Sequence, residues 1–152
     1  MNGNEGSAHI AMFLSILQNS FVAQANFYQA SCSSKFTCFT KYGLPTKPYY
    51  ALLAFKQLYD LGNQVGAEFS KELSDVSVIA AANQDRGRIL VSNFNNPEEE
   101  YKISIDGNFS KIVSVKVINR QLDLMPLNLK SAKLSALKFK IPKHTVVLIE
   151  VN

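Results

Sequence analysis

The run Thr46-Lys47-Pro48-Tyr49-Tyr50-Ala51-Leu52-Leu53-Ala54-Phe55-Lys56-Gln57-Leu58-Tyr59-Asp60-Leu61-Gly62-Asn63-Gln64-Val65 holds the point at which this chain changes its period. Up to Gly62, the residues Tyr50, Ala51, Ala54, Phe55, Leu58 and Leu61 recur at helical spacing. Thr46 stands where an N-cap belongs, Pro48 fits the first turn, and Gly62 supplies a C-terminal stop. Beyond Gly62 the period becomes 2. Residues 76–82, 88–94, 99–106, 112–119, 133–141 and 145–151 read as strands, with 65–69 as a connecting strand. Six or seven short strands at this spacing imply a sandwich or barrel. The punctuation agrees: Asp85-Arg86-Gly87 and Asp106-Gly107-Asn108 accept positive φ, while Asn95-Asn96-Pro97 and Ile141-Pro142 break pairing. Tyr101, Ile103 and Ile105 alternate with Lys102, Ser104 and Asp106, so that strand has one wet face. The last strand is apolar on both faces, which places it centrally. Val91, Ile103, Val115, Phe139 and Leu148 are the expected β-core.

Upstream, Ala8, Ile10, Ala11, Phe13, Leu14, Ile16 and Leu17 make residues 5–19 a helix apolar on most sides, with Asn4 available as its cap. Residues 21–28 then alternate, Phe21, Ala23, Ala25 and Phe27 on one face and Val22, Gln24, Asn26 and Tyr28 on the other, as a strand does. Residues 29–46 read as a long loop. The expected fold class is therefore mainly β with an N-terminal α/β segment, an antiparallel β-sandwich preceded by two helices and one strand. The expected division is 1–64 for the α/β segment and 65–152 for the sandwich.

Composition narrows the function classes. At 47% hydrophobic and 18% charged residues, the 152-residue chain is globular and long enough to bury a core. Its net charge of +4 is scattered, and Lys133, Lys138, Lys140 and Lys143 punctuate strand-like residues as edge lysines do. Tyr101 and Phe139 alternate with Lys102, Lys138 and Lys140, so rings and charges face opposite ways, which argues against a nucleic-acid stacking platform. No apolar run reaches the ~18 to 20 residues needed to span a bilayer, so neither nucleic acid nor membrane is an expected partner. The polar start, Met1-Asn2-Gly3-Asn4-Glu5-Gly6, lacks the regions of a signal peptide; a secreted or periplasmic parent would carry that signal upstream. Cys32 and Cys38, with no histidine beside them, do not make a zinc site and read as loop thiols or one local disulfide.

The run 46–62, with Gly43-Leu44-Pro45 before it, resembles the last barrel helix of certain clan A glycoside hydrolases, most nearly the β-xylosidase-like enzymes of family thirty-nine and their relatives. In such enzymes a "pTKPyyAfkaf..L..LG" segment closes a (β/α)8 barrel and a β-sandwich follows, ending in an apolar strand like 145–151. Gly6-Ser7-Ala8 and the following helix are similar to the barrel's seventh helix, and 22–28 to its eighth strand, "v..anyYd". The resemblance covers residues 3 to about 62 in motif and the remainder in architecture.

That resemblance implies a C-terminal portion without the chemistry. Retaining glycosidases use two carboxyl groups about 5 to 5.5 Å apart, and in this family both stand on earlier barrel strands than any matched here. Glu5 lacks the strand-borne context of a nucleophile and reads as a first-turn acid favoured by the helix dipole. His9 and His144 are far apart in sequence, and no phosphate-cradling loop or metal motif is present. No catalytic residue, metal ligand or cofactor is expected. Asn26 and Tyr28 are the substrate-binding candidates, because a strand's polar face at a barrel mouth touches substrate; packing inside the fold is the competing reading for both. The expected function is a C-terminal fragment or accessory domain of a glycoside hydrolase, carbohydrate-related and not catalytic by itself. The alternative is a self-contained β-sandwich module that binds carbohydrate or protein. Expected partners are carbohydrate, and either the missing barrel half or a second copy meeting residues 5–28.

Overall fold

The computed structural model describes residues 3–27, 30, 37–70, 73–97, 99–105, 107–127 and 137–152. Two helices, α1 (Asn4–Gln18) and α2 (Lys47–Tyr59), precede the strands β1 (Asn63–Val65), β2 (Val76–Ala82), β3 (Gly87–Asn93), β4 (Glu99–Ile103), β5 (Ile112–Ile118), β6 (Asp123–Pro126), β7 (Leu137–Ile141) and β8 (Thr145–Val151). Six strands form one antiparallel sheet in the order β1-β2-β3-β8-β5-β6, and β4 and β7 form a two-stranded sheet. As expected, two helices precede an antiparallel β-rich part. The strand read at 65–69 is instead the short β1, and β6 was not expected.

The central strand explains the layering. Strand β8 pairs with β3 through Leu90↔Leu148 and with β5 through Val117↔Val147. Because side chains alternate across a strand, its residues serve two cores. Val146 and Leu148 join Ile79, Ala81, Leu90 and Ile118 against Ala8, Ile10, Ala11, Ala51, Ala54 and Leu58 of the helices. Val147, Ile149 and Val151 join Val76, Val91, Val115, Val117, Tyr101 and Ile141 on the side of the two-stranded sheet. The fold therefore has three layers: helices, six-stranded sheet, small sheet. Of the expected core, Val91, Val115 and Leu148 are buried. Phe139 is half-buried and packs against the second core, and the Ile103 side chain lies outside what is described.

Polar residues fasten the layers where no apolar side chain could. Ser92 Oγ donates to Ala8 O at 2.7 Å, tying β3 to α1. Arg88 bridges Glu150 at 3.0 Å on the helix side and also donates to Gln57 O of α2. Asn93 is fully buried; its amide donates to Ile141 O at 2.8 Å and its Oδ1 accepts from Asn96 N at 2.9 Å. Asn93→Ala would leave these buried groups unpaired, so its urea midpoint should fall by the equivalent of about 1 to 3 kcal/mol with an unchanged slope. An unaltered midpoint would mean that the small sheet is not held by this amide.

Several local expectations are corrected. Gly3, not Asn4, caps α1 without a side-chain bond, and the Asn4 amide donates to His144 O at 3.1 Å. Thr46 occupies the cap position of α2 but makes no capping bond, its hydroxyl donating to Thr37 O. The β2–β3 turn is held by Asn83, whose Oδ1 accepts from Asp85 N and Arg86 N at 3.0 and 2.9 Å. Gly87 is needed for space: a Cβ there would lie 2.9 Å from Val151 Cγ2 and 3.1 Å from Phe109 Cζ.

The strand expected at 21–28 is not formed over its described part. Residues 21–27 run without a ladder, and all are exposed. At the far end of the helices, Gln64 Nε2 donates to Asn19 Oδ1 at 2.9 Å. That contact sets the C-terminal ends of α1 and α2 at the same end, so the helices run parallel and the intervening chain must travel back. Seven extended residues span about 23 Å, matching the roughly 22 Å length of a 15-residue helix. The segment has bends at Phe21 and Ala23, and among the described residues it pairs with no neighbouring strand.

Candidate functional site

The N-terminal ends of the two helices gather most of the polar and aromatic side chains with something to explain. Before α2, residues 38–46 fold back on themselves: Phe39 bridges Pro45, Thr46 N donates to Cys38 O and Thr40 N to Leu44 O, both at 2.8 Å. Phe39 N donates to Ala30 O at 3.0 Å, which brings the continuation of the 21–27 segment to this end. The Phe39 ring packs on Tyr49 at 5.1 Å between centroids. Cys38 lies inside, and burial pushes its thiol pKa up, away from a reactive thiolate. Its candidate partner Cys32 lies outside the described residues.

Lys47 explains part of the Thr-Lys-Pro run. Its ammonium contacts Asp123 Oδ1 at 2.5 Å and Leu122 O at 3.2 Å, with the Lys side chain 17% exposed. The β5–β6 hairpin is thus clasped to the start of α2. The sequence carried no sign of this pairing, because β6 is short, irregular and half polar; Leu124 within it has φ +57°.

Asn26 stands exposed on the ladderless segment and accepts from Gln24 Nε2 at 3.1 Å. Tyr28, the other candidate, lies outside the described residues. Glu5 is exposed in the first turn of α1. His9 and His144, distant in sequence, meet around one ring: Phe94 lies 5.4 Å from His9 and 5.9 Å from His144. This cluster is a joint between α1 and the β7–β8 turn; among the described residues no group of three or more His, Cys, Asp or Glu side chains is placed to hold a metal. No helix among them is long and apolar enough to cross a membrane.

A separate groove of about 1040 Å³ opens beside the two-stranded sheet, with Phe69, Tyr101 and Phe109 over a floor that includes Val78, Ala80 and Ile89. It is mixed in character, with Glu68 and Lys102 also contributing to its lining.

Comparison with solved structures bears out the resemblance at the level of fold. The chain matches a glycoside hydrolase family 30 subfamily 8 xylanase from Clostridium acetobutylicum with a TM-score of 0.76 at 16% identity, over 100% of this chain and 40% of that one. It matches a family 39 β-xylosidase from Caulobacter crescentus at 0.74 and 14% identity, over 99% and 40%, and a glucosidase from Croceicoccus marinus at 0.70 and 15%, over 96% and 42%. The chain spans about two-fifths of the length of these structures. No family model and no curated protein matches it.

Proposed function

We propose that this chain is a C-terminal fragment or accessory domain of a glycoside hydrolase, carbohydrate-related and not catalytic by itself. The observation that carries the reading is a run of exposed large apolar side chains on α1 and the segment that follows it. Phe13 and Ile16 on the outer face of α1, with Phe21, Val22 and Phe27 of the following segment, all stand exposed. Each large side chain left in water forgoes about 1.5 to 3 kcal/mol of burial, and soluble monomers rarely expose such a patch without a use for it. In the solved glycosidases about 60% of the chain lies outside the matched part, enough to cover this face. In this reading residues 1–64 close a barrel whose other strands pair with 21–27, and residues 65–152 are the sandwich that buttresses it.

The surface is testable on the isolated chain. Light scattering across a concentration series should show association, through residues 5–28 of two copies, that a Phe13→Lys, Ile16→Lys double variant abolishes. A wild-type protein that stays monomeric and binds no hydrophobic dye would contradict an open face.

The alternative, a self-contained β-sandwich module that binds carbohydrate or protein, draws on the groove beside the small sheet. It predicts that oligosaccharide or peptide binding, where found, maps to Phe69, Tyr101 and Phe109.

A further inference from the structure

Tyr42 is the described aromatic residue that is both widely exposed and rigidly presented. The residue is 77% exposed, beside Leu44 at 62%. Tyr59 is equally open but belongs to the opposite end of α2, and Phe21 sits on a segment without a ladder. By contrast, the backbone around Tyr42 is pinned from within. Thr40 Oγ1 accepts from Tyr42 N at 3.3 Å and Leu44 N at 3.2 Å, and Gly43 N donates to Thr40 O at 2.9 Å. Gly43 turns the tip with φ +77°, a conformation that favours glycine. The Lys41 ammonium lies 4.9 Å from the centre of the Tyr42 ring, over one face.

We propose that Tyr42 is a saccharide-stacking residue, taking the C–H-bearing face of a pyranose on the ring face opposite the one that the Lys41 ammonium covers. The inference rests on the carbohydrate reading above and adds the residue and the contact. A ring held by its own loop loses little conformational freedom when a ligand settles on it, which is how rigid tyrosines contribute affinity at binding surfaces. The tip stands at the N-terminal end of α2. Ala30, whose carbonyl accepts from Phe39 N, brings the chain that follows Asn26 to that same end. A sugar on Tyr42 is thereby set at the end where barrel enzymes bind substrate.

The test uses the full chain with ring-labelled tyrosines and two probes, xylohexaose and cellohexaose, followed by NMR. The Tyr42 ring resonances, assigned with Tyr42→Phe, should shift on titration with at least one of the sugars. Tyr42→Ala should weaken that binding by roughly tenfold or more at unchanged thermal stability, while Tyr42→Trp retains it. Binding that persists in Tyr42→Ala overturns the stacking site and leaves the carbohydrate reading standing, with the groove as the place to look. Binding of neither sugar by the wild-type protein overturns the stacking site together with carbohydrate recognition by this chain alone.

Discussion

Leu148→Ala is expected to lower the free energy of unfolding by about 2 to 5 kcal/mol, a large share of the stability of a domain this size. Leu148 is 2% exposed on the central strand, opposite Leu90 on one side and Lys116 on the other. It lies in the core that both helices share with the sheet. The space it vacates is bounded by paired strands on one side and two helices on the other, so the walls have little freedom to close. Phe139→Ala should cost less despite the larger truncation, because Phe139 is half-buried in a two-stranded sheet that has fewer neighbours. Chemical denaturation of both variants checks the order. An unchanged midpoint in Leu148→Ala would mean that the helices do not share a core with the sheet.

That shared core also shows where sequence was informative. Strands 76–82 and 145–151 were readable to the residue because their apolar runs are bounded by turn chemistry on both sides, and the double-faced apolarity of the last strand placed it centrally. The helices were legible from their spacing but not to the residue: 5–19 was read where α1 runs Asn4–Gln18. What escaped was set by partners distant in the chain. Alternation in residues 21–28 signalled a strand, but a strand exists only when another lies beside it, and among the described residues none does. Asn4 and Thr46 had the right chemistry for caps, yet contacts with His144 and Thr37 took their side chains instead. The β6 strand, with Leu124 at positive φ and a register shift beside it, has no periodicity to read.

The candidate site was less legible for the same reason. Asn26 was chosen for its place on a polar strand face, and it stands exposed without that strand. Lys47 was part of a recognisable motif, but its bond to Asp123 depends on a hairpin some 75 residues downstream. Tyr42 had no periodic signal because it sits in a Ser/Thr-rich loop, where only the internal hydrogen bonds distinguish it from any exposed tyrosine.

The proposal that this chain is not catalytic by itself is tested most directly by hydrolysis. Glu5 is the sole carboxylate before Asp60, and Asp123, which also reaches the start of α2, is held by Lys47. Neither is matched to the two carboxyl groups, about 5 to 5.5 Å apart, that retaining glycosidases require. Purified chain incubated with aryl xylosides, arabinosides, glucosides and galactosides is expected to release no aglycone above the uncatalysed rate. Turnover that survives repurification and disappears in a Glu5→Gln variant would contradict the account.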